Sequence, residues 1–172
     1  RAGDDDRLIP LLERALAVLP TEDSAARARL LARLAGALRD EPAMEHRAAL
    51  SDEAVAIARR LGDRETLGFA LQSRQAAIWG PDALPEMAAL LDEIGRIATA
   101  AGDRDRLAEA QWMRIVLLAA VGADKATLGA EVEAGARLAR ELRQPALEWF
   151  HLQWRTVLAL NEGRLGDAED LL

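Results

Sequence analysis

Apolar positions along this chain recur at steps of three and four, the period that stacks side chains on one face of an α-helix. Leu50, Ala54, Ile57 and Leu61 form one such stripe, Met87, Leu91, Ile94 and Ala98 a second, and Leu128, Val132, Ala139 and Leu142 a third. Punctuation separates them. Pro10 suits the first turn of a helix reaching about Val18, and Pro20 stops it. Thr21 or Ser24 can cap a second helix that reaches Leu38 or Arg39 and is closed by Pro42. A third begins near Met44; Gly62 fits the left-handed position after it, and Asp63 the N-cap of the next. The same grammar predicts a helix from Leu67 to Trp79, ending at "GPD", and one along the Met87 stripe, ending at Gly102. It goes on to predict helices from Asp103 to Val121, stopped by Gly122, over the Leu128 stripe, and from Ala146 to Leu160, where "RQP" replaces Gly-Asp. Nothing reads as strand.

The pattern also repeats at long range. "RRLGDRETLGFALQSR" (59–74) is echoed by "ATAAGDRDRLAEAQWMR" (98–114), each turning through Gly-Asp into a segment where a Leu precedes an Arg by seven residues. Leu67, Leu107 and Leu147 are separated by 40 and 40, and the helix-ending Gly80, Gly122 and Gly163 by 42 and 41. A globular bundle has no reason to keep such a period, whereas stacked helix-turn-helix units keep it because each buries the same faces against its neighbours. The expected fold is therefore all-α: a right-handed α-solenoid of about four antiparallel hairpins in a single domain over 1–172. Gly95, Gly129 and Gly135, within helices, are expected to permit close backbone approach, since an interior Gly otherwise costs up to ~1 kcal/mol against Ala.

Composition narrows the function classes. Hydrophobic residues make up 51% of the 172 residues but aromatics only 3%, so the core is built from Leu and Ala. A formal charge of -7 opposes a nucleic-acid surface, which needs clustered cation. Cysteine is absent, which removes disulfides and thiolate metal sites and suits a reducing cytoplasm. No apolar run approaches the length of a membrane span. The histidines, His46 and His151, lack the spacing that places two imidazoles on one helical face, and His46 reads as a surface residue. The sole lysine, Lys125, has no phosphate-binding loop, and Ser24, Ser51 and Ser73 have no nucleophile context. Asp4, Asp5, Asp6, Asp63, Glu65, Asp103 and Asp105 sit where carboxylates cap helix starts. Neither metal nor cofactor is expected, nor an enzyme.

Two features remain as candidate recognition chemistry. Arg74 and Arg114 occupy equivalent positions, each sharing a helical face with apolar residues (Leu67, Leu71 and Ile78; Leu107, Ala110 and Leu117), and Trp154 takes that position in the third copy with Arg155 one step away. With Gln75 and Gln111 they form a candidate ligand- or partner-binding set on the concave surface that first helices of solenoid hairpins line. The alternative is that each guanidinium pairs with a carboxylate on an adjacent helix and fixes stacking register. Trp79 is expected to fill a hairpin joint. Trp149, Phe150 and Trp154 spread around their helix, so at least one ring must be partly exposed.

"ALNEGRLGDAEDLL" (159–172), with Gly163, Leu165, Asp167 and Ala168, resembles the inter-helix turn of a tetratricopeptide repeat. "LSDEAVAIARRLGD" (50–63), "WGPDAL" (79–84) and "ELRQPALEW" (141–149) extend the likeness to the helical-repeat region of large bacterial signalling ATPases, including LuxR-type transcriptional regulators. The period near 40 departs from the family's 34. The resemblance implies a cytoplasmic fragment of a larger protein. That fragment is a non-catalytic module taking a protein or peptide segment, or a small effector, without touching nucleic acid or membrane. The alternative is a spacer or self-associating array, forming a homodimer through a terminal hairpin.

Overall fold

In a computed structural model, residues 7–38 and 44–171 are described; Asp4, Asp5, Asp6, Arg39 and Pro42 lie outside them. The described residues form nine α-helices and no strand: α1 (Leu8–Val18), α2 (Ala25–Ala37), α3 (Met44–Leu61), α4 (Arg64–Ala77), α5 (Leu84–Ala101), α6 (Arg104–Ala120), α7 (Lys125–Leu142), α8 (Pro145–Asn161) and α9 (Leu165–Asp170). A 3-10 turn, Pro81–Ala83, leads into α5.

Side chains chosen for local hydrogen bonding start the helices. Ser24 accepts from the Arg27 amide at 3.2 Å, Asp63 from the Glu65 and Thr66 amides at 3.0 and 3.3 Å, Asp103 from Arg106 at 3.0 Å and Asp124 from Thr127 at 2.9 Å, each satisfying orphan donors of a first turn. The Thr66 and Thr127 hydroxyls also donate to Asp63 and Asp124, and these bonds hold both carboxyls below the usual carboxylate range. Helix ends use the left-handed conformation: Gly62, Gly102, Gly122 and Gly163 have φ of 67, 66, 69 and 74°. After α7 that position falls to Arg143, at φ 54°, and the Gln144 amide donates to the Ala139 carbonyl at 3.1 Å to close the turn. Gly80 departs from the expected pattern. Its φ of 174° is extended, because Pro81 bars the helical region to the residue before it, and α4 ends earlier, at Ala77.

Helices pack in series. Contacts divide the chain into two compact units, residues 1–90 and 91–172, with the boundary inside α5. In the first unit α2 packs on α1, α3 and α4, and α3 on α4. Ala28, Ala32 and Ala35 of α2, Ala54 and Ala58 of α3 and Ala70 of α4 are fully buried, so a core poor in rings is closed by near backbone approach. Leu12, Leu34 and Leu38, with Leu8, Leu16 and Leu50 around them, seal α1 to α2. In the second unit α7 packs on α6 and α8, α6 on α8, and α8 on α9. Among the described residues, one cluster there joins Ala108, Ala139 and Leu147, and another Ile115, Leu128 and Val132.

The glycines expected to admit close approach differ. Gly135 meets the His151 ring: a Cβ there would sit 2.7 Å from Nε2. Gly129 has only Leu158 at 4.0 Å, and Gly95 faces open space. Trp79 does not fill its joint, being 42% exposed. Arg47, unremarked in the sequence, is buried and donates from Nε to the Ala77 carbonyl at 2.9 Å, satisfying the end of α4.

Candidate functional site

The residues singled out in the sequence divide between the two units. In the first, Arg74 of α4 is held on three sides: Nη1 donates to the Ala48 carbonyl at 2.7 Å and to Ser51 Oγ at 3.3 Å, and Nε to Glu86 at 2.9 Å. Its side chain is 15% exposed. Gln75 beside it is buried. In the second, Arg114 of α6 pairs with Asp92 of α5, and Gln111 donates to Glu131 of α7. Arg155 of α8 makes a two-pronged pair with Glu133 of α7, at 2.7 and 2.5 Å. This bonding drops the Glu133 carboxyl below its ordinary range and raises the Arg155 guanidinium.

One rule connects these arginines. Arg114 and Arg155 each reach a carboxylate 22 positions back, on the preceding helix, and Arg74 reaches Ser51, 23 positions back. Arg155, not Trp154, therefore makes the third such contact. Trp154 instead packs against Ile115, Leu128 and Val132 at the edge of the core.

Trp154 also lines a groove between α6 and α8, with Trp112, Val116, Phe150, Gln153 and Val157, enclosing about 370 Å3. Helical spacing explains the set: Trp112 and Val116 are one turn apart on α6, and Phe150, Gln153, Trp154 and Val157 form a contiguous face of α8. Trp112 and Phe150 close the floor with ring centroids 4.8 Å apart, and Trp149 meets Phe150 edge-on at 5.5 Å. Such tilted contacts match the ring quadrupoles. The Trp112 Nε1 donor is buried without an acceptor among the described residues. Of the six lining residues Trp154 belongs to the binding set expected from the sequence and Phe150 to the α8 rings expected to be unevenly covered; the Trp112–Val116 and Phe150–Val157 spacings are the available signal for the rest.

A second cleft, of about 350 Å3, runs between α7 and α8 beside Trp149, Leu152, Arg140 and Arg155. Trp149 is 56% exposed, which meets the expectation that one of the α8 rings cannot be covered. Behind this cleft His151 is buried against Gly135, its Nδ1 without a partner. Desolvation first, and then the neighbouring Arg155, lower its proton affinity, against a smaller opposing pull from Glu133. His46 is exposed, as expected.

Chemically, the α6–α8 groove offers apolar area, one amide and no charged side chain. Among the described residues no three His, Cys, Asp or Glu side chains converge as a metal site would need, and no helix is long and apolar enough to cross a membrane. No protein-family model matches the chain, and no curated protein is similar to it in sequence.

Proposed function

We propose that this chain is a non-catalytic interaction module, a tetratricopeptide-like α-solenoid whose first-helix face takes a protein segment. The α6–α8 groove carries this reading, because it is an apolar, partly open surface built by two successive first helices. Repetition supports the solenoid. First helices begin at Ala25, Arg64, Arg104 and Pro145, steps of 39, 40 and 41, and second helices at Met44, Leu84, Lys125 and Leu165, steps of 40, 41 and 40. Polar ties join like to like: Arg29 of α2 to Glu65 and Thr66 at the start of α4, and Gln144 at the start of α8 to Asp105 of α6. On this reading Trp154 is a groove residue, while Arg74, Gln75, Gln111 and Arg114 fix the register between helices. The resemblance to LuxR-type and other signalling ATPase regulators makes a cytoplasmic bacterial transcriptional regulator the proposed parent, with occupancy of the groove passed to attached domains as a preference for one curvature.

A neutral amphipathic helical peptide of leucine and glutamine tests this. Titrated into the chain, it should move the indole N–H resonances of Trp112 and Trp154 and leave that of Trp79 in place. Val157 is exposed, so Val157→Glu should fold normally and weaken binding by about tenfold or more, the cost of placing a charge in an apolar contact. Unmoved groove indoles, or equal affinity of the Val157→Glu chain, would remove the groove from the function.

A further inference from the structure

The cleft between α7 and α8 holds a cation and an anion that form no ion pair. Arg140 of α7 and Glu148 of α8 both line it, and Ala136, Leu152 and Trp149 supply its apolar surface. Arg140 Nε donates to the Ala136 carbonyl of its own helix at 3.2 Å, while its two Nη groups meet no carboxylate among the described residues. Its charge reaches the Glu133 carboxyl only through space, and less than those of Arg155 and Arg137 do. Glu148 likewise has no cation partner among the described residues. The third charge at the cleft, Arg155, is already held by both oxygens of Glu133. One unpaired charge on a helix surface is ordinary. Two of opposite sign lining one apolar cleft, beside an exposed indole, specify what would fill it.

Each class of occupant is judged by the charges it leaves behind. A neutral one covers both side chains and pairs neither, an organic anion satisfies Arg140 but sets like charge against Glu148, and an organic cation does the reverse. A molecule carrying both charges pairs both. The enclosed volume, about 350 Å3, lies at the small end of the range of roughly 300–1,000 Å3 that small-molecule sites occupy. We infer that this cleft is a second site, separate from the α6–α8 groove, for a small apolar zwitterion of the class of a free amino acid with an aliphatic side chain. The ligand's carboxylate accepts from the Arg140 Nη groups, whose fork suits two oxygens, and its ammonium donates to Glu148. Its side chain lies on Trp149 and Leu152.

Free leucine, leucinamide and isocaproate share one side chain and carry both charges, the cation alone and the anion alone. Titrated by calorimetry into the whole chain, leucine should bind about fivefold or more tightly than either of the others. It should also move the Trp149 indole N–H resonance and leave that of Trp154 in place, so this site and the α6–α8 groove stand or fall separately. Arg140→Gln should bring leucine close to the affinity of leucinamide, and Glu148→Gln close to that of isocaproate, with melting curves checking that each variant folds. Equal affinity of the three ligands for the unaltered chain would overturn the zwitterion, and so would leucine binding that neither substitution weakens. No binding of leucine, or movement of Trp154 in place of Trp149, would overturn the site.

Discussion

His151 shows how a single buried imidazole gives the α7–α8 hairpin a dependence on pH. Its ring lies against the Cα of Gly135, where any side chain would collide, so one residue's size sets another's position. Burial and Arg155 lower its proton affinity below the ordinary value of 6.5. In the unfolded chain the imidazole therefore takes up a proton at higher pH than in the folded one. Between the lowered folded value and 6.5 the unfolded state binds more protons, so stability rises with pH across that window. The contribution is complete above 6.5, is lost as pH falls from there towards the folded value, and changes no further once both states are protonated. The urea midpoint should accordingly be lower at pH 5.5 than at pH 7.5, and His151→Phe should flatten that difference while the carboxylates titrate as before. An unchanged slope in His151→Phe would assign the pH dependence to other groups.

At the scale of the helix, arginines that look equivalent in sequence do unequal work. Arg74 is largely covered and satisfies the Ala48 carbonyl, the Ser51 hydroxyl and Glu86 together. Arg114 is 39% exposed and pairs with one exposed carboxylate. Removing Arg74 takes away a largely covered side chain and its charge-assisted bonds to the Ala48 carbonyl and Ser51, which keep each other at 2.8 Å, a loss of about 1.5–3 kcal/mol, whereas an exposed ion pair contributes about 0–1 kcal/mol. Arg74→Ala should therefore lower the urea midpoint clearly and Arg114→Ala little; equal losses would mean that the forty-residue equivalence extends to energetics. This inequality marks where sequence legibility ends. Caps and stops are local chemistry, so Ser24, Asp63, Asp103, Gly62, Gly102 and Gly122 could be placed from the sequence alone. Gly80 misled because Pro81 overrides it, and the αL residue after α7 was hidden in an arginine. Partners 22 residues away, and whether Trp79 or Trp149 stays uncovered, depend on which helix lies alongside. Periodicity names a helix's faces but not what covers each one, so the rings of α8 are legible in the sequence without the Trp112 and Val116 of α6 that complete the groove.

Across the whole molecule, a chain whose helices pack mainly on near neighbours should not lose its structure all at once. The described contacts gather into residues 1–90 and 91–172, with α5 running through the boundary. In a nearest-neighbour array a lesion weakens its own unit first, and the free energy of opening varies along the chain. Gly135→Ala is a lesion confined to the second unit. Alanine gains up to about 1 kcal/mol in helix propensity, but overpacking against a ring that cannot retreat costs about 1–3 kcal/mol or more, so the net effect is a loss. Hydrogen exchange should show faster opening of the α6, α7 and α8 amides in this variant, with the α2, α3 and α4 amides protected as before. Equal loss of protection from α2 to α8 would mean instead that the two units open together, and that an event at the α6–α8 groove is felt at once along the whole chain.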